Sequence, residues 1–171
     1  MALIVEDGTG KTNSESYCSV AEATAYHGSR NQGDDWDAID DKDAALRLAT
    51  DYMLQIYRGK WAGSRVTSTQ SLDWPRYDVE LFDAPSGYGA FPAVVPFNVV
   101  PAEVKKACAE LALKTGNGTL LVDTGREVLS ESVGSISVTY SQGSSQQTSY
   151  PVVSAFVRPY MKPAGSRVYR A

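Results

Sequence analysis

The 171-residue chain has few of the residues from which most catalytic and metal centres are built. It contains one histidine, His27, and two cysteines, Cys18 and Cys108, that are far apart in the sequence. A zinc site needs closely spaced ligands, as in C-x-x-C or H-x-x-x-H, and neither spacing occurs. A Ser-His-Asp or Cys-His site would need the single histidine, and no G-x-S-x-G motif accompanies it. We therefore expect no enzyme activity, no catalytic residue, no cofactor and no metal ion.

The same residues have simpler structural interpretations. We expect His27 to be a surface residue near the C-terminal end of a short helix rather than a general base. Cys18 and Cys108 have unlike sequence contexts, which favours two buried thiols in a reducing compartment over a disulfide framework.

Long hydrophobic runs and an excess of positive charge are also missing. No apolar run approaches the roughly 18 residues of a membrane span. The start, MALIVEDG, turns acidic by Glu6 and lacks the positive region of an export signal, so we expect no membrane partner. The formal net charge of −4 limits general attraction for phosphate groups, from which most non-specific nucleic-acid binding derives.

Two stretches resemble ligand loops without meeting their requirements. The run GTGKT, residues 8–12, matches the end of a nucleotide-binding loop, but Val5 replaces the glycine at the first position of that motif. Turn-forming residues then follow where a helix should begin, so we interpret the run as a turn in an N-terminal arm. The six aspartates between residues 34 and 43 lack the D-x-D-x-D-G order of a calcium loop. They predict a solvated turn that caps the next helix.

Hydrophobic periodicity predicts helices at about 19–30, 45–56, 101–116 and 151–157. The first begins with a capping box, and the third begins with proline, which is favoured at the first helical position. Alternating apolar and polar residues predict a β-hairpin over 127–141. The expected fold class is mainly α with a β-hairpin: a small bundle of about three to four helices, a long loop and extended N- and C-terminal arms.

We expect a single domain, residues 1–171, with an N-terminal arm over 1–18 and a helical core over 19–157. The core contains the hairpin and a long loop over 58–100, and a basic C-terminal arm covers 158–171. Loops of this length tend to be functional or to be ordered by a partner. Because an isolated hairpin is marginal in water, we also expect support from another subunit.

Basic and aromatic residues alternate at the start of the long loop. Positive side chains that follow a phosphate backbone, interleaved with rings on which bases stack, are the requirements for sequence-tolerant binding of a single strand. The interpretation that we favour is that Trp61 and Trp74 pack under the loop while the charged side chains stay in solvent. The candidate contacts with another subunit or with nucleic acid are Arg58, Lys60, Trp61, Arg65, Trp74 and Arg76.

A series of short motifs along the whole chain resembles a family of tailed-bacteriophage proteins. The motifs include N-S-x-S-Y (13–17), A-A-L-x-x-A-T-D-Y (44–52), Y-R-G-K-W (57–61), L-D-W-P-R (72–76) and V-P-A-E-V-K-K-A (100–107). Members are often described as DnaT-like single-stranded-DNA-binding proteins. In length and helix-rich layout they also resemble the head–tail connector adaptors that form a ring beneath the phage portal. The resemblance therefore implies two different classes of function.

From the sequence we favour the adaptor, a structural virion protein that joins capsid to tail and lines the DNA exit channel. Its location would be the head–tail neck of the virion, after synthesis in the host bacterial cytoplasm. The resemblance implies a homo-oligomeric ring of about twelve copies, whose subunits meet through two different patches. The other expected partners are the portal protein, a tail or head-completion protein below the ring, and double-stranded DNA that passes through the lumen without specific binding. The alternative is a phage protein that binds single-stranded DNA.

The basic C-terminal arm is the predicted docking segment for the portal, and we expect it to extend only once it is bound. The predicted portal contacts are Arg158, Lys162, Arg167, Val168, Tyr169 and Arg170.

Overall fold

The computed structural model describes residues 2–81, 83–85, 92–116, 118–121 and 148–163, and the backbone of 130–133 and 136–139. The helices in these residues are α1 (Val20–Gly28), α2 (Gly33–Asp37), α3 (Lys42–Tyr57), α4 (Ala102–Thr115) and α5 (Pro151–Val157). A short 3₁₀ helix (Arg158–Tyr160) continues α5.

Short strands pair in antiparallel ribbons. Strand β1 (Ser64–Arg65) pairs with β2 (Arg76–Tyr77), β3 (Glu80–Leu81) pairs with β4 (Ala93–Val94), and β5 (Ser130–Val133) pairs with β6 (Ile136–Thr139). The last ribbon is the predicted hairpin. The fold class predicted from the sequence, mainly α with a β-hairpin, is confirmed.

The helix boundaries follow from local chemistry. Ser19 and Glu22 form the predicted capping box: the Ser19 hydroxyl accepts the Glu22 N–H at 3.2 Å, and the Glu22 carboxylate accepts the Ser19 N–H at 2.7 Å. Helix α3 begins after Asp41, whose carboxylate accepts the Ala44 N–H at 2.9 Å. Pro101 is the cap residue of α4 rather than its first helical residue, so the helix begins one residue later than predicted.

Helix α4 lies at the centre of the molecule and contacts α1, α3 and α5. Every residue from Ala107 to Leu113 is buried, so this stretch packs on several sides rather than along one face. Its small residues, alanines and a cysteine, let the neighbouring helices approach closely. The rest of the core comes from α3, from α5 and from the long loop.

Helix α2 is a difference from the sequence prediction, which placed only a turn in the aspartate cluster. Its aspartates face solvent, but Trp36 is fully buried and donates its indole N–H to the Thr24 hydroxyl at 2.9 Å. Trp36 also stacks on His27, with ring centroids 5.0 Å apart. One large apolar side chain is therefore enough to anchor this otherwise acidic turn of helix.

The prediction that His27 is a surface residue is wrong, although its place in the last turn of α1 is right. The ring is fully buried, with Nε2 3.1 Å from the Ala109 carbonyl oxygen and Nδ1 3.2 Å from Gln32 Oε1. Both ring nitrogens thus have polar neighbours in the core, which makes His27 a packing residue between α1, α2 and α4.

The long loop has more structure than the sequence suggested, because it contains the β1–β2 and β3–β4 ribbons. It also contributes to the core through Leu72, Trp74, Val79, Val95 and Val100. The described part of the loop is therefore held in place by packing into the chain's own core.

The N-terminal segment is packed as well: Val5 and Ser16 form a bridge, and Tyr17 and Cys18 are buried.

At the other end of the chain, Tyr160 is buried and Met161 forms a bridge with Trp61 of the long loop. The first part of the expected C-terminal arm therefore packs against the helical core.

Among the helices described, none is long and apolar enough to cross a membrane.

Candidate nucleic-acid interface

The GTGKT run folds into a loop whose backbone N–H groups converge on one anion, the carboxylate of Glu6. Glu6 Oε1 accepts the N–H groups of Gly8 and Gly10, each at 2.9 Å. Glu6 Oε2 accepts the N–H of Lys11 at 2.9 Å and the hydroxyl of Ser14 at 2.7 Å. Gly8 and Gly10 have φ values of 101° and 75°, which glycine adopts without strain. The loop is therefore an anion-binding nest that the chain's own carboxylate occupies.

The surroundings of this nest leave little room for a nucleotide. The Lys11 ammonium donates to the Val5 carbonyl at 3.0 Å and pairs with Asp7 at 2.9 Å. A side chain on Gly8 would lie 2.0 Å from the Asn98 carbonyl oxygen, so the nest is pressed against the long loop. The contacts support the interpretation of GTGKT as a structural turn.

We expect Glu6→Gln to lower the free energy of unfolding by about 2–4 kcal/mol, because the amide turns a donor toward N–H groups that need an acceptor. Urea unfolding measures the change. Asp34→Asn, an exposed acid on α2, is the control and should shift stability by less than about 0.5 kcal/mol. Glu6→Ala should also gain more melting temperature from added sulfate than the wild type does, since it empties the nest. Equal losses of stability in Glu6→Gln and Asp34→Asn, or equal gains from sulfate in Glu6→Ala and the wild type, would contradict this account of the loop.

A second buried carboxylate, Asp73, joins three parts of the chain. Asp73 Oδ1 accepts Arg58 Nε at 3.0 Å, and Oδ2 accepts the indole N–H of Trp61 at 3.2 Å. The backbone N–H of Asp73 donates to the Tyr17 hydroxyl at 3.1 Å. Burial, followed by the nearby Asp73 charge, raises the pKa of Tyr17 well above its usual value, so this hydroxyl stays protonated. The contacts link the N-terminal segment, the end of α3 and the L-D-W-P-R motif.

Arg76 is a structural residue of the same motif. Its guanidinium donates to three backbone carbonyls: Ala62 from Nε at 2.7 Å, Gly63 from Nη2 at 2.8 Å and Asp73 from Nη1 at 3.0 Å. Burial lowers the pKa of Arg76, and the Asp73 charge opposes that shift. Because its donors are directed inward, Arg76 fixes the course of the loop and does not face solvent.

The two tryptophans among the predicted contacts belong to the core. Trp61 is 1% exposed and Trp74 is fully buried, and their rings meet edge to face with centroids 5.7 Å apart. Trp74 also packs edge-on against Tyr160, at 5.6 Å. Neither indole offers a face for base stacking in this conformation, so their effect on any ligand would be indirect.

We expect Trp74→Ala to lower the free energy of unfolding by about 3–5 kcal/mol, because it leaves a large cavity between the loop and the 3₁₀ helix. Trp74→Phe, which retains a ring of smaller volume, should cost clearly less. Urea unfolding followed by circular dichroism distinguishes the two variants. A Trp74→Ala protein of unchanged stability would show that this ring is not a core element.

The remaining predicted residues come together on one exposed surface. Arg58 Nη2 donates to the Ser71 carbonyl at 3.1 Å, and Arg65 Nη1 donates to the adjacent Gln70 carbonyl at 3.2 Å. Both side chains are therefore bound to the same short stretch of backbone, residues 70 and 71. The side chain of Arg58 is still 52% exposed although it pairs with Asp73.

The C-terminal segment adds a further cation beside them. The Lys162 backbone N–H donates to the Lys60 carbonyl at 2.9 Å, and its ammonium donates to the Gly59 carbonyl at 3.0 Å. Lys60 and Lys162 are both exposed. We call Arg58, Lys60, Arg65 and Lys162 the basic surface.

An exposed aromatic pair near the basic surface was not predicted from the sequence. Tyr77, 40% exposed, stacks on Phe97, 52% exposed, with centroids 5.2 Å apart and an interplanar angle of 29°. Tyr77 lies opposite Ser64 in the β1–β2 ribbon, next to the pair of Arg65 and Arg76. Because adjacent ribbon residues point to opposite faces, a ligand that touches both Tyr77 and Arg65 must cross the ribbon edge. In the sequence, the available signal for this exposed ring was the position of Tyr77 directly after Arg76.

Two of the six predicted portal contacts, Arg158 and Lys162, lie in the described part of the chain, and their role stays a prediction. Arg158 lies on the 3₁₀ helix and is exposed, and Lys162 is part of the basic surface. Arg167, Val168, Tyr169 and Arg170 lie outside the described residues. Within the described part of the chain, no group of three or more His, Cys, Asp or Glu side chains could hold a metal ion.

The fold and this surface define a small, mainly helical protein that presents clustered cations beside an exposed aromatic pair. The whole chain, residues 1–171, matches the model of the family described as "Putative DnaT-like ssDNA binding protein". The chain belongs to this family. No curated protein and no solved structure matched it.

Proposed function

We propose that the protein binds single-stranded DNA through the basic surface. The observation that carries this proposal is that four exposed cationic residues, three within 58–65 and one at 162, lie on segments that are hydrogen-bonded to each other, in a chain whose net charge is −4. The description of the family agrees with this function. Together they favour single-strand binding over the adaptor function that the sequence alone suggested.

The local charge, rather than the net charge, governs contact with a strand. At physiological salt the Debye length is about 8 Å, so phosphates on the basic surface are largely screened from acids on the far side of the molecule. The Arg58 guanidinium is held in place by Asp73 and the Ser71 carbonyl while half of its side chain stays accessible. Such an orientation lowers the entropy lost when a phosphate binds.

Bases need a ring surface as well as a charged one, and the Tyr77–Phe97 pair supplies it in this proposal. Both rings are exposed and already stacked on each other, so a base can extend the stack. The backbone of a single strand is flexible enough to pass from the basic surface over the ribbon edge to this pair. The proposed site would therefore bind with little preference for sequence.

We expect the triple variant Lys60→Ala, Arg65→Ala, Lys162→Ala to weaken binding of a labelled oligothymidylate by at least about tenfold at moderate salt. The slope of log K against log salt should fall by about two units, since each lost phosphate contact on a single strand removes about 0.7. Fluorescence anisotropy across a salt series measures both quantities. Arg58 stays unchanged in this variant because it also pairs with the buried Asp73.

The matched control removes three cations from elsewhere: Lys42→Ala, Lys106→Ala, Lys114→Ala. It changes the net charge equally and should leave the slope unchanged. Phe97→Ala should weaken binding by about 1–3 kcal/mol without changing the slope, because it removes stacking and no phosphate contact. A wild-type protein that does not bind, or a control triple that weakens binding as much as the test triple, would contradict the proposal.

A second function, the head–tail adaptor, has its own supporting observation. Large apolar side chains are exposed on two different elements: Leu48 on α3, 56% exposed, and Val94 with Val99 in and after β4, 51% and 42% exposed. Two unlike patches are what a subunit needs to contact two neighbours in a closed ring. In this proposal the ring of about twelve copies sits between the portal and a tail or head-completion protein, and double-stranded DNA passes through its lumen.

If the two patches meet between neighbours, Leu48→Asp and Val94→Asp should each prevent ring formation, because each variant keeps one intact patch and loses the other. Mixing the two variants should give only dimers, since one intact patch of each chain can still pair. Native mass spectrometry reads out the assemblies, and Ala21→Asp, an exposed position on α1, is the control that should still form rings. A wild type that stays monomeric at every accessible concentration would exclude self-assembly of the isolated chain.

A further inference from the structure

Cys18 and Cys108, which are 90 positions apart in the sequence, meet in the core. Both are free and buried, one just before the cap of α1 and the other in the middle of α4. The Ser16 hydroxyl contacts both residues: it donates to the Cys18 carbonyl at 2.8 Å and lies 3.8 Å from Cys108 Sγ. Each thiol is also the largest influence on the pKa of the other, which is raised for Cys18 and lowered for Cys108, as expected for two neighbouring sulfurs. The sequence-based expectation of two buried thiols is therefore confirmed, and the fold brings these two residues of unlike sequence context into one region of the core.

A surface cavity of about 150 Å³ reaches Cys18, whereas Cys108 is fully buried and does not line it. Its wall includes Cys18 and Ala23 from the α1 region and Lys105 and Ala109 from α4. A molecule as small as hydrogen peroxide fits a cavity of this size, whereas a protein thiol does not. The cavity therefore gives a small oxidant access to the pair from the side of Cys18 and excludes larger reagents.

The polar groups around Cys108 favour its reactive form. The Thr50 hydroxyl lies 3.4 Å from Cys108 Sγ, and the Ser16 hydroxyl contacts the same sulfur at 3.8 Å. The interaction with Cys18 and the hydroxyls of Thr50 and Ser16 lower the pKa of Cys108, although burial opposes that shift. Thiolate is the form of cysteine that reacts with peroxide.

We propose that Cys18 and Cys108 are a site of reversible oxidation that forms an intrachain disulfide with hydrogen peroxide as the oxidant. One sulfur, as thiolate, attacks a peroxide oxygen: an S–O bond forms, the O–O bond breaks, and the leaving hydroxide takes up a proton to become water. The second sulfur then attacks the sulfenic acid, the S–S bond forms, the S–O bond breaks and a second water leaves. In total the two thiols lose two electrons and two protons, and one peroxide is reduced to two waters.

The disulfide ties the N-terminal segment to the central helix. It removes conformational freedom from the unfolded chain over a loop of about ninety residues, which is the main way a disulfide stabilises. The oxidised protein should therefore melt about 5–15 °C above the reduced one. Reduction with dithiothreitol should restore the original melting temperature.

The test is peroxide treatment of the folded full-length chain, followed by alkylation of free thiols in denaturant and tryptic mass spectrometry. We expect residues 12–30 and 107–114, which contain the two cysteines, to be recovered as one linked pair that is two hydrogens lighter than the separate peptides. Non-reducing electrophoresis should show a single chain. Cys18→Ser and Cys108→Ser should each abolish both the linked pair and the rise in melting temperature.

The same treatment of urea-unfolded protein is the second arm. Slower linkage in urea than in the folded chain supports the proposal, because the fold then brings the sulfurs together. Linkage only in urea overturns it, as does the recovery of both thiols as free alkylated cysteines under conditions that fully oxidise glutathione. Disulfides between chains, without the intrachain pair, would also overturn it.

Discussion

The buried carboxylate of Asp73 is the interaction on which the loop, the end of α3 and the N-terminal segment all depend. A desolvated carboxylate is costly unless its oxygens have partners, and here each oxygen accepts a hydrogen bond, one from Arg58 and one from Trp61. These bonds fix where the chain turns after α3. The exposed part of Arg58 and the neighbouring Lys60 are placed by the same turn, so the position of the basic surface follows from a buried charge.

Glu6 applies the same physical rule in a different part of the chain. Its carboxylate satisfies three backbone N–H groups and one hydroxyl that would otherwise be buried without partners. The Lys11 carbonyl next to this nest accepts the Ser71 N–H at 3.0 Å, which connects the nest to the segment that leads into Asp73. The two acids thus hold a region with little regular secondary structure, where helix hydrogen bonds are not available.

The sequence predicted the parts of the fold that rest on local signals. The capping box of α1, the period of α3 and the hairpin are readable from neighbouring residues, because caps and periodicity act over a few positions. Helix α2 was missed because its only apolar anchor, Trp36, stands among aspartates, and the burial of His27 depends on that same ring. Trp61 and Trp74 were ambiguous for another reason. The sequence pattern of an aromatic residue close to basic ones is the same whether the ring packs in the core or faces solvent.

The candidate site was only half readable for a different reason. Arg58, Lys60 and Arg65 stand together in the sequence, but Lys162 reaches them through a bridge between Trp61 and Met161 that no local pattern encodes. The stacked pair of Tyr77 and Phe97 likewise joins residues twenty positions apart. Contacts of this kind are decided by the packing of the whole chain, and one sequence does not specify them.

The junction between Lys60 and Lys162 has a consequence for the order of events in the cell. About a hundred residues separate the two positions, so at a synthesis rate of roughly 5–20 residues per second the ribosome needs about 5–20 s to supply the second after the first. Throughout that interval the nascent chain has only part of its cationic surface. Under the proposed function, full attachment to a polyanion therefore has to wait until Lys162 has been synthesised and has reached Lys60.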